Sequence, residues 1–526
     1  MVRVTRHKAT RWVRGSTVVH RPAGARVTTM TIIRSSRSVR LKAAVAITAA
    51  SAGLVLAAAP AQARPVPTQP GTSSVPAFVG HPATAKPVAL SAAPQNPWMA
   101  ANPYNNIHND ASMTDSYAQS GPLGRKPTVT SATARGECAS ITFNSKGQIV
   151  AVCIRTSSYI TLMDAKTLKV LVQTKMPQPD SSETSGGDYT DVAGGYFYLD
   201  NLDRPVVTTA TMHLITYELQ GSKFVPVEDI DLTSAVGSND SIQSALPDYS
   251  GNKWFITKAG VVGFVDKATG QLRTTTLNGE RIGNSFSMGA DGGIYIVSTA
   301  ALYRFDIVDG QPAVTWREAY ANTGVQKPGQ VSTGSGTTPT IMDGGYVAIA
   351  DNGDPESVVV YHTAKQASGT QQLCSVPVFE KGASATENSL VAVGNSLMME
   401  NNYGYTSYKY TTQGRTTVPG LVRVDISPDG NCKTVWTNTE ISAPTVVAKF
   451  SAKAGLLYTY SKPQGPGKHD PWYWTAVDYR TGKTVYKALV GAGLEYNNNY
   501  AALYVGPDGA GYVGIQGGIA RIADSR

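Results

Sequence analysis

The sequence predicts an all-β fold: a single β-propeller of eight blades, each of four antiparallel strands, with seven blades as the alternative count. Three observations point there. Among 526 residues, 51 are Gly and 26 Tyr while only 16% are charged, a β-rich globular composition. A unit of strand, glycine turn and strand recurs at roughly the spacing of propeller blades. No segment sustains the apolar period of a helix.

Residues 1–63 read as a secretory leader. Arg34 to Lys42 is a cationic n-region, Ala43 to Ala59 an apolar h-region too short and small-sided for a bilayer span, and Ala61 to Ala63 a small-residue cleavage site. Met30 fits the true start better than Met1, because signal peptides rarely carry about thirty residues of basic preamble. The expectation is export, to the medium or the cell wall, without stable membrane insertion. No Cys follows the h-region, so a lipid anchor is not expected. The formal charge of +9 belongs to this leader, whose eleven Lys and Arg stand with no Asp or Glu. The remainder has 35 basic against 37 acidic groups. Bulk charge therefore gives no reason to expect nucleic acid as a partner. Residues 64–96, rich in Pro, Ala, Ser and Thr, read as a linker outside the fold, leaving 97–526 as the propeller, expected to be a monomer.

Four cysteines in an exported chain suggest disulfides. Cys138 and Cys153 bracket "ASITFNSKGQIVAV", and a turn at Ser145-Lys146 sets them opposite each other. Cys374 and Cys432 pair by elimination. Free buried thiols are the alternative.

The repeat itself is clearest where Ala139 to Val152 aligns with "NSFSMGADGGIYIV", Asn284 to Val297. Further copies begin at Thr190, Leu246, Pro339, Asn388, Ala448 and Tyr504, making eight. Third and fourth strands follow around turns of the form Asp-x-x-Thr-(Gly): "LMDAKTLKVL", "FVDKATGQLR" and "AVDYRTGKTV". The last copy has room for only about three strands. Lys126 to Ala134, "KPTVTSATA", is the candidate fourth strand that closes the ring.

In a propeller the loops entering the innermost strands and those leaving the second strands open on one face. The register sends Glu280, Asn284, Ser285, Thr337, Thr338, Glu387, Asn388, Ser389 and Asn497 to Asn499 there by the first route. By the second it sends Asp200, Asn201 and Arg204, Asp351 and Asn352, and Glu400, Asn401, Asn402, Tyr403 and Tyr405. Carboxylates and amides converging at one mouth are hard oxygen donors suited to calcium, although Asp and Asn are also ordinary turn residues. His108 in "NIHND" and His469 are candidate proton shuttles. There is no Gly-x-Ser-x-Gly elbow, EF-hand frame or phosphate loop. Tyr403, Tyr405, Tyr408, Tyr410, Trp472, Tyr473, Trp474, Tyr496 and Tyr500 offer a ring-stacking surface for a sugar or other small ligand, or else blade packing.

"WTAVDYRTGKTVY", Trp474 to Tyr486, resembles the blade signature of pyrroloquinoline-quinone-type propellers, with Tyr486 where that signature has Trp. It lacks the adjacent cysteines common at that cofactor. The ring of Glu and Asn residues resembles the senescence-marker, gluconolactonase and strictosidine-synthase-like propellers. That resemblance implies a central calcium held by Asn284 and Asn388, with Glu280 or Glu387 and Asp200 or Asp351. The chain also resembles secreted actinobacterial propellers.

Three functions follow as expectations. The first is a metal-assisted hydrolase or lactonase on a small or glycan-like substrate, with His108 or a rim carboxylate as base. The second is a non-enzymatic glycan- or protein-binding module. The third is a polysaccharide lyase using Arg204, Tyr403 and His108, or a quinone-dependent dehydrogenase.

Overall fold

The computed structural model describes residues 64–178, 194–366 and 369–525. The leader lies outside them, as do residues 190–193 of the second repeat.

Alternating apolar residues and left-handed glycine turns produce the hairpins. Ile149–Ile154 is buried along its whole length because it lies between strands on both sides. Eight sheets form the ring, spanning 137–175, 198–231, 242–276, 287–319, 340–377, 391–438, 449–492 and 503–523, here called blades one to eight. Neighbouring strands within each blade are antiparallel. Among the described residues there is no α-helix, and none long and apolar enough to cross a membrane.

The Asp-x-x-Thr turns work by local chemistry. Asp164 accepts from the Lys166 and Thr167 N–H groups, Asp266 from Ala268 and Thr269, and Asp478 from Arg480 and Thr481. Each carboxylate thereby replaces backbone acceptors in the turn, and the Thr167 and Thr269 hydroxyls, which also donate to Asp164 and Asp266, act with these N–H groups to hold both below the usual carboxylate range.

The eighth blade is completed by Thr128–Thr133, which pairs antiparallel with Gly518–Ala523 as its outermost strand. The ring thus closes through an early segment, as expected. Both disulfides form. Cys138 and Cys153 face each other across one hairpin, while Cys374–Cys432 joins the outermost strands of blades five and six.

Residues 64–96 do not hang free. Phe78–Gly80 pairs with Thr484–Ala492 as an added strand on blade seven, Val66, Val75 and Ala83 are buried, and Lys86 reaches Asp478 at 3.1 Å. Small side chains and proline lie flat on an existing surface without a core of their own, so composition alone does not separate a strap from a linker.

The second correction concerns register. In blade two the innermost strand is Tyr198–Leu199 and the next is Pro205–Thr208. Asp200 to Arg204 is therefore the first hairpin turn, on the face opposite the expected one. Asp200 accepts from the Leu202 and Arg204 N–H groups and pairs with the Arg204 guanidinium, and Asn201 is exposed.

The central channel is filled. Residues 97–121 descend through it, and their carbonyls take up the free N–H groups of innermost strands: Ala111 from Met288, Ser112 from Ile341, Thr114 from Ala392, Asp115 from Phe450 and Tyr117 from Ala452. Asn105 does the same for Leu199 of blade two. Innermost strands are sheet edges, and a buried edge needs such partners. The plug separates two cavities of about 310 Å³ each, one at either mouth.

Candidate active site

The cavity at the mouth where chain enters the innermost strands is floored by Ile107 and His108 of the plug. Its walls include Glu137 and Ser140 of blade one, Tyr196, Gln243, Asn284, the Glu387-Asn388-Ser389 loop and Tyr500. Ile154, Ile242, Val331 and Val447 supply an apolar lining, the composition of a small-molecule site. A Cβ on Gly336 would meet the Thr386 carbonyl at 2.0 Å, so a glycine there lets the Glu387 loop close onto its neighbour.

His108 is the polar centre of the floor. It is 2% exposed, and its Nδ1 lies 3.0 Å from Oδ2 of Asp115, which is fully buried. A carboxylate only accepts, so Nδ1 carries the hydrogen. The other carboxylate oxygen is held by the Lys449 ammonium, which also donates to the Ile107 carbonyl and, at 2.9 Å, to Asn109 Oδ1. Burial lowers Lys449 below the ordinary lysine value, with Asp115 acting against that shift. On the far side of the ring, His108 Nε2 stands 3.4 Å from Ser389 Oγ. Tyr196 stacks over the imidazole at 6.4 Å between centroids and donates to Asn284 Oδ1 at 3.0 Å.

Two carboxyl groups border the same space. Burial pushes Glu387 up to about 8, although the Val331 N–H donates to it at 2.9 Å and Asn284 approaches at 3.5 Å. Burial likewise raises Glu137 well above the ordinary value. Gln516 donates to its Oε2 at 2.8 Å, and Oε1 has no partner among the described residues.

Of the residues expected at the mouth, His108, Asn284, Glu387, Asn388, Ser389 and Asn499 line the cavity. Others serve the scaffold. Asp351 accepts from the Gly353 and Ser357 N–H groups, and Glu280 from Tyr303 and Ser298. Asn352 bonds Asn322 and two carbonyls, Glu400 bonds Thr459, and Asn401 bonds Ala383 and Ala385. Asn402 acts indirectly, accepting from Glu387 N at 2.9 Å and from Asn388 Nδ2 at 3.1 Å, which shapes the Glu387 loop. Tyr405 donates to Asn499 and meets Tyr500 edge-on at 5.5 Å. Arg204 and Tyr403 do not line the cavity. Trp472, Tyr473 and Trp474 are buried packing residues.

Calcium was expected from Asn284, Asn388, Glu280, Glu387, Asp200 and Asp351. Only Asn284, Glu387 and Asn388 meet here, and among the described residues no cluster of three or more His, Cys, Asp or Glu is arranged to hold a metal. Asn388 Oδ1 is buried without a partner, so this smaller donor set retains one uncommitted oxygen.

Asp115, Glu137, Tyr196 and Lys449 were not anticipated. The one local signal was a second acidic residue seven positions after His108, in a polar stretch outside the blade repeat.

No family model matches the chain. A protein of Archaeoglobus fulgidus described as "Uncharacterized protein" is 27% identical over 374 residues, covering 64% of this chain and 70% of that one. Among solved structures, the chain is similar to BamB from Moraxella catarrhalis at 11% identity and a TM-score of 0.42, over 77% of this chain and 95% of that one. It is similar to a streptogramin B lyase at 10% identity and a TM-score of 0.38, over 75% and 97% respectively. A europium-containing methanol dehydrogenase shares 11% identity with a TM-score of 0.47, over 79% and 90%. All three are β-propellers, and likeness at this level concerns the fold alone.

Proposed function

We propose that this protein is an exported hydrolase that cleaves the ester or lactone bond of a small substrate in the channel-mouth cavity, with His108 as general base. The observation that carries the reading is the buried Asp115–His108 pair, whose Nε2 edge faces the cavity. Asp115 holds the tautomer and the ring orientation, leaving the Nε2 lone pair to take a proton from the attacking hydroxyl. Glu387, kept protonated near neutral pH by burial, supplies in this reading a donor for the carbonyl oxygen or the departing alcohol. The apolar lining excludes bulk water and strengthens both interactions.

Calcium belongs to the proposal through the uncommitted Asn388 Oδ1, with Glu387 and Asn284 beside it as oxygen donors. An ion bound there would take Glu387 as its carboxylate and would supply Lewis-acid polarisation of the carbonyl in place of the Glu387 proton.

A panel of nitrophenyl esters and aliphatic lactones tests the reading. His108→Gln is expected to lower kcat/KM by about 100-fold or more, with little change in Tm. Retained turnover by His108→Gln, or no turnover of any ester or lactone by the wild type, overturns it. If calcium participates, chelation lowers Tm and added calcium restores it.

A further inference from the structure

We infer that Ser389 is the nucleophile of this cavity, forming an acyl-enzyme whose proton transfers run through His108. The inference rests on the reading of His108 as base and adds a covalent step to it.

Ser389 lies just before the innermost strand of blade six and is 281 residues from His108 in sequence, so only the entry of the plug into the ring brings them together. The residue is 6% exposed and borders the cavity. The Thr338 N–H donates to Oγ at 3.2 Å, which fixes the oxygen, and the hydroxyl's own hydrogen has Nε2 as its acceptor at 3.4 Å. Asp115, His108 and Ser389 thus form a continuous chain with the roles of orienting acid, base and nucleophile. Such a chain is identified by geometry rather than by sequence order. Separations of this kind are often loose before substrate binds.

The plug backbone around these groups is unusual. Asn109, Met113 and Asp115 all have positive φ, at 80°, 60° and 57°. Non-glycine residues in that region cost free energy and persist where the surroundings over-determine them, commonly at functional sites. Lys449 and the Asn109 side chain, which donates to the Ser116 carbonyl at 3.0 Å, hold this conformation.

The steps balance as follows. Oγ adds to the carbonyl carbon while its proton moves to Nε2. The ester C–O bond then breaks, and the alkoxide leaves with that proton as an alcohol, or as the free hydroxyl of an opened lactone. Water adds to the acyl carbon, giving a proton to Nε2. The C–Oγ bond breaks, Oγ regains the proton, and a carboxylic acid departs.

A fluorophosphonate probe reads the nucleophile directly, because an activated serine Oγ displaces fluoride from phosphorus and keeps the phosphonyl group. Intact-mass analysis and peptide mapping of the wild type should show one adduct, on Ser389. The adduct should be lost in Ser389→Ala and form at least 100-fold more slowly in His108→Gln. Ester or lactone hydrolysis should fall in parallel in both variants. No adduct on folded wild type, or an adduct on another residue, overturns the assignment of Ser389. Hydrolysis that survives Ser389→Ala but is lost in His108→Gln rejects the covalent step while keeping the base, whereas hydrolysis that survives His108→Gln rejects the base itself.

Discussion

Glu400 ends the second strand of blade six, is 3% exposed, and accepts from Thr459 Oγ1 at 2.6 Å. Burial lifts its carboxyl from an ordinary 4.5 to about 8. Because the folded value is the higher one, the stabilisation linked to its proton is complete below about 4.5 and is lost as pH rises through about 8. Glu387 shifts in the same direction for the same reason. Glutamine at position 400 keeps an acceptor for Thr459 and carries no charge. Thermal melts of Glu400→Gln should therefore lie above the wild type at pH 9 and no higher than it at pH 5. A difference between the two proteins that does not change between those pH values would show that Glu400 does not carry this linkage. Repeat register places Glu280 and Asp351 among the expected metal ligands, because it reads residue type and position but not hydrogen-bond commitment. From the sequence they are oxygen donors, but in the fold their oxygens already hold hydroxyls and turn amides.

Hairpins were legible because their determinants are local. An Asp followed by Thr three positions later closes its own turn, and alternating apolar residues mark a strand wherever it lies. Blade two was misread because its first hairpin turn, Asp200 to Arg204, contains no glycine, while Gly194-Gly195 just before the innermost strand imitate the glycine turn of the repeat. The plug left no periodic trace, since its partners are strand edges in five blades and it forms only a two-residue strand itself. Asn284, Glu387, Asn388 and Ser389 could thus be placed at the mouth, while the pairing of Ser389 with His108 could not. The disulfide between blades five and six acts between elements. It closes a separation of 58 residues between two outermost strands, whereas Cys138–Cys153 spans 15 within one hairpin. By chain entropy, Cys374→Ser with Cys432→Ser should cost up to about 4 kcal/mol, measured by denaturant unfolding. The proposed hydrolysis should stay unchanged, because neither residue borders the cavity.

At the scale of the molecule, stability depends on a ring whose last blade borrows a strand from near the start of the fold. Thr133 donates its N–H to Arg64, away from Gly518–Ala523. By the two-residue alternation of strands, Thr130 therefore points its N–H into that ladder. Thr275 occupies the matching situation in the outermost strand of blade three. Leu277 donates to Gly260, so Thr275 faces Val262 across the ladder. Proline at either position removes one ladder donor and leaves a carbonyl unpaired, a loss of roughly 1–3 kcal/mol. The two strands differ in what else depends on them. Blade three is continuous in sequence, so fraying of its outer strand stays local. Thr128–Thr133 is the closure itself, and its release exposes the edge of blade eight and frees the strap that bonds to it through Arg64. Thr130→Pro should therefore lower Tm clearly more than Thr275→Pro, in a melt that remains a single transition. Equal losses would mean that closure rests on packing between blades and plug rather than on the shared strand.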